Sequence, residues 1–266
     1  MREDFVMLIV QLSDLHFVAP GKRLYRQIDT AGALARAVER VNGLLPGPDL
    51  VVISGDLVER GSIEEYEALR QQLARLAVPF RLLPGNHDDR ANLRQVFVDQ
   101  DFSGEPLLCQ RLEVGDLGLL LLDTVIPGEE GGEIGAAQLA WLDAACPAER
   151  PVLLFLHHPP FATGIAGMDV IGLSGADRLA AWLAAHRNVR GIACGHVHRA
   201  VFTSFAGVAA VIAPSPAHQI ALDLDGDPAA LAWTLEPGGM LLHRYANDSL
   251  VTHVLPVDPA PVQRYD

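Results

Sequence analysis

Five short motifs of the 266-residue chain hold seven side chains of the kinds that bind metal ions. Each motif directly follows a run of hydrophobic residues that is typical of a buried strand. The carboxyl ends of parallel strands meet at one edge of a sheet, and open α/β folds bind ligands there. Carboxylate, amide and imidazole groups that converge at such an edge can form a metal centre. The motifs are Asp14-Leu15-His16, Gly55-Asp56, Gly85-Asn86-His87-Asp88, His157-His158-Pro159-Pro160 and Gly195-His196-Val197-His198.

Residue spacing favours metal binding at two of these motifs. Residues two apart on an extended strand point to the same side, so Asp14 and His16 can share one ion. His196 and His198 have the same spacing and fit either one shared ion or two adjacent ones. Taken alone, an Asp-x-His pair is as often a cap residue beside a surface histidine.

The other three motifs are weaker when each is considered singly. Asp56 could be an ordinary turn residue, and Asn86 after Pro-Gly could simply form a β-turn. Neighbouring residues on a strand face opposite ways, so one of His157 and His158 would face the site and the other would pack or support it. Five such motifs at five strand ends seldom coincide by accident, so the combination outweighs the structural interpretations.

Several other candidate residues have ordinary structural explanations. His186 fits the carboxyl end of a helix, where the helix dipole stabilises a cation, and we expect His243 and His253 to be structural. Cys194 lies inside a hydrophobic run and is expected in the core, not as a nucleophile. Segment 223–228 resembles a calcium loop but lacks the Glu that closes an EF-hand, so a surface loop is the better interpretation.

Strands and helices must alternate to bring the five motifs together. Hydrophobic runs predict strands that lead into the motifs at Met7–Ser13, Leu50–Ser54, Phe80–Leu83, Val152–Leu156 and Gly191–Cys194. Helical periodicity, with cap and stop signals, predicts helices at Ala31–Leu45, Ser62–Ala77, Ala91–Phe97, Ala136–Ala145 and Ala176–His186. An antiparallel hairpin is predicted from Leu107–Val114 and Leu117–Asp123. Short strands of an all-β tail are predicted at Val201–Phe205, Val208–Ala213, Ala230–Leu235, Gly239–Tyr245 and Ser249–Pro256.

Composition limits the partners and the compartment. The formal net charge of −13 disfavours a nucleic-acid partner, because such binding depends on Lys and Arg. The negative net charge leaves open a small phosphate substrate, since bound metal ions make the local charge positive. Three cysteines argue against a disulfide framework. Residues 1–4 include two acids where a signal peptide would be basic, and no apolar run approaches the roughly 20 residues that span a bilayer. We therefore expect a cytoplasmic protein without a membrane partner.

In this order, the five motifs resemble those of the calcineurin-like metallophosphoesterases, which run D-x-H, G-D, G-N-H-[DE], H and G-H-x-H. The resemblance covers about residues 7–200 and is closest to the class III cyclic nucleotide phosphodiesterases, especially the bacterial glycerophosphodiesterases. Supporting segments are 13–17, 24–29, 84–89, 157–160 with Met168-Asp169, 194–196 and Pro216-Ala217-His218-Gln219.

The resemblance implies an α/β fold, namely a four-layer αββα sandwich of two mixed sheets with a β-rich C-terminal extension. Residues 1–200 would form the catalytic core. Residues 201–266 would complete the second sheet within the same structural domain, and could cap the site or supply a subunit contact. Family members are often homo-oligomers, so a homo-oligomer is expected.

The resemblance also implies two divalent metal ions and assigns their ligands. One ion would be held by Asp14, His16, Asp56 and His198, and the other by Asp56, Asn86, His157 and His196. Asp56 would bridge the two ions. His157, not His158, would be the ligand from its motif. His87 and His218 would be the catalytic residues that bind the phosphate or transfer a proton.

Charge counting agrees with this assignment. Two divalent ions bring four positive charges, and the carboxylates of Asp14 and Asp56 bring two negative ones. The net of +2 suits a bridging hydroxide together with an anionic phosphoryl group. Purple acid phosphatases have a tyrosine three residues after the G-D aspartate, where this chain has Glu59, so a tyrosinate-bound ferric ion is not expected. Nitrogen and oxygen ligands leave Mn, Fe, Zn and Co open.

The leading hypothesis is a binuclear metal-dependent phosphodiesterase. It would hydrolyse glycerophosphodiesters or 3′,5′-cyclic nucleotides by in-line attack of a metal-bridging hydroxide. The alternative is a phosphomonoesterase or broad-specificity phosphatase, which needs arginines for a dianionic phosphate; Arg90 and Arg199 lie beside motifs. The acidic charge disfavours a nuclease, and the complete ligand motifs disfavour a binding module that has lost catalysis.

Overall fold

The computed structural model describes residues 6–265, in which two β-sheets face each other and helices cover their outer sides. Residues 1–5 and 266 lie outside that range. They include the acidic segment on which the expectation of no signal peptide rests. Within residues 6–265, no helix is both long and apolar enough to cross a membrane.

Apart from β4, β5 and β6, which follow one another, the strands alternate with helices up to β9, and the later strands follow one another. The strands are β1 (Met7–Leu12), β2 (Leu50–Ser54), β3 (Phe80–Leu83), β4 (Gln110–Val114), β5 (Leu117–Leu122), β6 (Gly132–Glu133), β7 (Val152–Leu156), β8 (Leu173–Ser174), β9 (Val189–Cys194), β10 (Val201–Phe205), β11 (Val208–Ile212), β12 (Gln219–Ile220), β13 (Trp233–Thr234), β14 (Gly239–Ala246) and β15 (Ser249–Pro256). The helices are α1 (Thr30–Asn42), α2 (Ile63–Leu73), α3 (Arg90–Val96), α4 (Ala136–Ala145), α5 (Ala166–Val170) and α6 (Ala176–Ala185).

Both large sheets mix parallel and antiparallel strands, which confirms the predicted fold class. The first sheet has the order β15-β14-β1-β2-β3, in which β1, β2 and β3 are parallel. The second has the order β10-β11-β9-β7-β5-β4, in which β5, β7, β9 and β11 are parallel. The tail divides between them, since β10 and β11 join the second sheet whereas β14 and β15 join the first.

Three hydrophobic clusters hold the four layers together. Between the sheets, side chains such as Val52 and Phe155 are fully buried. Outside the first sheet, α1, α2 and α3 pack residues such as Leu34 against it, and α4, α5 and α6 cover the second sheet with residues such as Leu183. Strands that are buried on both faces are expected to be continuously apolar, which is why β2 and β7 appear as unbroken hydrophobic runs in the sequence.

Two helices end earlier than periodicity predicts, and several short elements were not predicted. α1 ends at Asn42, where Gly43 follows, and α2 ends at Leu73. The Ser62 hydroxyl caps α2 by accepting from the N–H of Glu65, but the Glu65 carboxylate accepts from Arg60 and not from Ser62. The elements β6, β8, β12 and α5 have two to five residues each, too few to show a period.

A buried polar chain joins the two sheets below the edge where the motifs lie. The amide of Gln11 donates to Ser54 Oγ (2.8 Å) and to the carbonyl of Cys194 (2.9 Å) in the other sheet. Gln11 Oε1 lies 3.1 Å from His243 Nε2, and His243 Nδ1 lies 2.9 Å from Thr252 Oγ1. Because Gln11 Oε1 can only accept, Nε2 of His243 carries a proton and donates to it. Burial lowers the pKa of His243 to about 3.

We predict that His243 makes the protein less stable in acid. Between pH 6.5 and 3, the unfolded chain gains a proton at His243 while the folded protein does not, so the free energy of unfolding falls as the pH falls. At about 1.4 kcal/mol per pH unit, the loss from His243 is about 2 kcal/mol at pH 5. Urea unfolding at pH 7 and at pH 5 measures the free energy of unfolding. Its loss between the two pH values should be about 2 kcal/mol smaller in His243→Gln than in the wild type.

The exposed His253 on β15 provides the control. His253→Gln should lose as much stability between pH 7 and pH 5 as the wild type. Equal acid losses in the wild type and His243→Gln would contradict the prediction.

Candidate metal centre

All seven expected ligands lie just beyond strand ends, at the edge shared by the two sheets. They are placed by the loops after β1 (Asp14, His16), β2 (Asp56), β3 (Asn86), β7 (His157) and β9 (His196, His198). Backbone hydrogen bonds hold two of these loops side by side, since Asp14 N–H donates to Gly55 O (3.0 Å) and His16 N–H to Asp56 O (2.9 Å).

Five of the seven expected ligands have a left-handed backbone. The φ angles are 55° for Asp14, 40° for His16, 49° for Asp56, 72° for His196 and 57° for His198. Non-glycine residues pay about 1–3 kcal/mol for such a conformation, and it clusters at functional sites. The surrounding fold therefore imposes these turns, which direct the side chains towards one centre.

The first group comprises Asp14, His16, Asp56 and His198, whose ligand atoms all lie within 4.8 Å of one another. His16 Nε2 is 3.3 Å from Asp56 Oδ2 and 3.1 Å from His198 Nε2. Asp14 Oδ2 is buried without a hydrogen-bond partner among the described residues. A buried carboxylate oxygen without a donor is costly, and a cation would satisfy it, so this group fits a metal ion.

The second group comprises Asp56, Asn86, His157 and His196. Asn86 Oδ1 lies 3.2 Å from His157 Nε2 and 3.1 Å from His196 Nδ1. Asp56 Oδ2 is 3.4 Å from His157 Nε2. The same carboxylate oxygen therefore contacts both groups.

The outer nitrogens of three histidines have fixed partners. His157 Nδ1 donates to Ser54 O (2.8 Å), His196 Nε2 to Ile171 O (3.0 Å) and His16 Nδ1 to Glu59 Oε2 (2.9 Å). Such contacts set the tautomer and leave the other nitrogen as a metal ligand. The carbonyls of Ser54 and Ile171 were not identified from the sequence, because a backbone oxygen has no residue-type signature.

His158 has a ligand atom within 4.8 Å of those of His157 and His196, but both of its ring nitrogens have partners outside the two groups. Its Nδ1 lies 2.8 Å from Thr124 Oγ1, and its Nε2 lies 3.2 Å from Glu130 O. Both nitrogens are thus held by the protein. This is the supporting position that opposite-facing neighbours on a strand predict for one of the two histidines.

Burial and opposite charges shift the pKa values of the carboxylates and histidines in the two groups. Burial raises the pKa of Asp14 to about 6. Burial opposes a charge on His16, but hydrogen bonds to Asp56 and Glu59 outweigh it and raise the pKa of His16 to about 10. For His157, the charge of Asp56 outweighs burial and raises the pKa to about 9. Burial would raise the pKa of Asp56. His157 and His16 outweigh it and hold this pKa well below its usual value.

His87 and His218 line a cavity of about 250 Å³ over the two groups. The His87 N–H donates to Asp56 Oδ1 (3.0 Å), and its Nδ1 donates to Glu59 O (3.0 Å). The ring of His218 lies 4.6 Å from that of His198. Burial lowers the pKa of His218 to about 3, so its ring is neutral at pH 7.

The outer wall of the cavity is apolar and aromatic. Tyr25 and Trp233 stack with ring centroids 6.1 Å apart, and Met168, Ile171 and Leu231 continue the wall. Among the described residues, none that lines the cavity is lysine or arginine. The sequence did not identify Trp233 as a site residue, because it comes from the short β13 in the tail.

The two arginines beside the motifs are directed elsewhere. Arg90 Nε lies 2.6 Å from Asp123 Oδ2, and the same guanidinium donates to Val125 O. Arg199 pairs with Glu236 at 2.9 Å and donates to Ile220 O. Each guanidinium is therefore already engaged by a carboxylate and a carbonyl.

Comparisons with known proteins agree with the motifs. A family model described as calcineurin-like phosphoesterase matches residues 7–200. The chain is 38% identical over 252 residues to a probable glycerophosphodiester phosphodiesterase, GpdQ, of Arcobacter nitrofigilis, covering 93% of this chain and 92% of that protein. It is 34% identical over 261 residues to the 3′,5′-cyclic adenosine monophosphate phosphodiesterase CpdA of Pseudomonas aeruginosa, covering 96% and 92%.

Solved structures share the fold at low sequence identity. A dimetal phosphatase from Danio rerio superposes with a TM-score of 0.62 at 17% identity, covering 95% of this chain and 99% of that chain. A purple acid phosphatase from yellow lupin superposes with a TM-score of 0.68 at 15% identity, covering 96% of this chain and 52% of that one.

Metal binding should release protons. At pH 7, His16 and His157 are protonated in the metal-free protein, so filling both groups should release about two protons. Because these pKa values are raised, metal affinity should increase from pH 6 to pH 9 and level off as the pH passes them. Calorimetric titration with Mn²⁺ in buffers of different ionisation enthalpy measures the protons directly, and an affinity independent of pH would contradict this.

Gly85→Ala should weaken metal binding by displacing Asp56. A Cβ at this position would lie 2.3 Å from Asp56 Oδ1 and 2.4 Å from Asp56 N, so Asp56 must move. We expect Mn²⁺ affinity to fall at least about 10-fold, as for lost supporting contacts in metal sites. Gly118→Ala is the matched control because its Cβ meets its nearest atoms at an ordinary 3.5 Å. Equal affinities in the two variants would refute the prediction.

Proposed function

The chain belongs to the calcineurin-like phosphoesterase family, and from that premise we propose that it is a metal-dependent phosphodiesterase of small organic phosphodiesters. Relatives named as glycerophosphodiester and cyclic nucleotide phosphodiesterases support this substrate class. These two kinds of diester are the candidate substrates.

The absence of lysine and arginine among the described cavity-lining residues carries the choice of a diester over a monoester. A monoester is a dianion near neutral pH and needs more compensating positive charge than a monoanionic diester. Arg90 and Arg199, which could have supplied it, pair with Asp123 and Glu236. The aromatic wall at Tyr25 suits the second organic group that only a diester has.

Two divalent ions fit the two ligand groups. One would be held by Asp14, His16, Asp56 and His198, and the other by Asp56, Asn86, His157 and His196. When bound, two such ions activate water and neutralise charge on the phosphoryl oxygens. The nitrogen and oxygen ligands keep Mn, Fe, Zn and Co as candidates.

The chain's own groups would bind the phosphate and transfer a proton. A neutral His218 has one N–H that can bind a phosphoryl oxygen. The Nδ1 of His87 is held by Glu59 O, so its Nε2 is the nitrogen that can meet the leaving oxygen. The His87 side chain is 32% exposed, which lets its Nε2 exchange a proton with water.

We also propose a cytoplasmic homo-oligomer with a single structural domain formed by residues 1–200 and 201–266. The division of the tail strands between both sheets supports one domain.

The thiols of Cys109, Cys146 and Cys194 are free, as a reducing compartment favours. Leu222 and Leu235 of the tail are 60% and 61% exposed and would suit a subunit contact.

Asn86→Ala should abolish diester hydrolysis. Loss of a supporting contact costs a metal site about 10–100-fold, so loss of a ligand should lower kcat/KM for bis(p-nitrophenyl) phosphate at least about 100-fold. The assay uses protein reconstituted with Mn²⁺. Near wild-type turnover by the Mn²⁺-reconstituted Asn86→Ala variant would overturn the assignment.

A substrate panel separates the diesterase from the monoesterase. The Mn²⁺, Zn²⁺ and Fe²⁺ forms would be assayed with bis(p-nitrophenyl) phosphate, p-nitrophenyl phosphate, cAMP and glycerophosphoethanolamine. We expect the bis ester to exceed the mono ester in kcat/KM by at least about 10-fold, equivalent to about 1.4 kcal/mol of transition-state stabilisation. A preference for the mono ester would favour the phosphomonoesterase instead.

A further inference from the structure

We propose that Glu59 is a positioning residue that sets the orientation of two histidines, His16 in the metal centre and His87 on the cavity wall. This inference rests on the proposed function, because it concerns how the same site is assembled. Glu59 itself would contact neither the metal nor the substrate.

The Glu59 carboxylate contacts His16 on the side opposite to the metal centre. Its Oε2 lies 2.9 Å from His16 Nδ1, so Nδ1 carries the proton and donates. In the metal-free protein Nε2 shares a proton with Asp56 Oδ2, 3.3 Å away, and lies 3.1 Å from His198 Nε2. With a metal ion bound, the lone pair of Nε2 would take the place of that proton. A carboxylate behind a ligating histidine fixes its ring and strengthens it as a ligand.

The backbone of Glu59 contacts His87. Glu59 O accepts from His87 Nδ1 at 3.0 Å, and Glu59 Oε2 is 3.6 Å from the same nitrogen. The ring of His87 is therefore held by the same residue as the ring of His16, and the two centroids lie 4.5 Å apart at an interplanar angle of 77°. One residue thus aligns a metal ligand and a group for the leaving oxygen.

The backbone frame explains why position 59 can do this. Phe17 and Val58 form a parallel bridge, and the Glu59 N–H donates to Phe17 O at 3.3 Å. The segment after Asp56 therefore runs alongside the segment that contains His16. The Glu59 side chain is only 17% exposed, and within residues 6–265 its ion pairs are with His16 and His87, not with a lysine or arginine.

Two substitutions separate this role from general damage. Glu59→Ala removes the acceptor of His16 Nδ1, and Mn²⁺ affinity should fall about 10–100-fold. Glu59→Gln keeps an oxygen that can accept the same proton, and should stay within about 3-fold of the wild type, because hydrogen bonding and not charge sets the ring. Glu67→Ala, an exposed position on α2, is the control and should bind as the wild type does.

The measurements are Mn²⁺ titration by calorimetry, thermal unfolding monitored by circular dichroism, and the ¹⁵N shifts of the imidazoles in the Zn²⁺-loaded protein. We expect His16 to appear as the Nδ1-protonated, Nε2-bound tautomer in the wild type and Glu59→Gln. In Glu59→Ala this signal should broaden or shift while the unfolding midpoint of the metal-free protein is retained. In the Mn²⁺ form, kcat for bis(p-nitrophenyl) phosphate should fall more than KM rises, since His16 would hold its ion less well while the backbone carbonyl of Glu59 still holds His87.

Three results would overturn the proposal. The first is wild-type Mn²⁺ affinity together with an unchanged His16 tautomer in Glu59→Ala. The second is an affinity loss in Glu59→Gln as large as in Glu59→Ala, which would make charge the cause. The third is a metal stoichiometry that drops by one ion in Glu59→Gln, which would make Glu59 a ligand. Wild-type protein that binds Mn²⁺ but hydrolyses no diester would refute the proposed function instead, and the metal affinities would still decide the role of Glu59.

Discussion

Two buried carboxylates, those of Asp14 and Asp56, constrain the rest of the structure. Anions in a low-dielectric interior are costly unless cations or hydrogen-bond donors surround them. Asp56 meets His16 from its own sheet and His157 from the other one, and Asp14 accepts the N–H of His196. The partners come from both sheets, so the anions can be buried only where the carboxyl ends of both sets of parallel strands reach the same edge.

Close packing, together with a φ angle of 102° at Gly55, explains the glycines of the motifs. A Cβ at Gly55 would lie 2.2 Å from the ring of His157, and a Cβ at Gly195 would lie 2.1 Å from Ser13 Oγ. At these positions one loop passes directly against a side chain of another loop or strand end. The left-handed residues next to them, such as Asp56 and His196, are then strained turns that the core must stabilise. Ligand geometry and backbone strain are thus two consequences of one close approach.

The sequence could predict what is local, and it failed where long-range contacts decide. Each motif and its strand are contiguous, so the strands and the convergence of the motifs at one edge could be predicted, whereas the two-sheet fold was implied by the family resemblance. Glu59 was noted only as a departure from a family pattern, because its contact with His16 crosses between two loops. The carbonyl of Ile171 has no side-chain signature. The pairing of β14 with β1 joins segments over 200 residues apart, and no local pattern indicates which sheet such a strand enters.

The charge distribution links substrate choice to metal binding. The chain has a formal net charge of −13, and the described cavity wall contributes no lysine or arginine. Positive potential would therefore come from the bound ions and fade within about 8 Å at physiological ionic strength. A phosphodiester can place its single negative charge within that distance while its organic groups contact Tyr25 and Trp233. A polyanion would extend further phosphates into a field of its own sign, so the same electrostatics that favour a small diester disfavour nucleic acids.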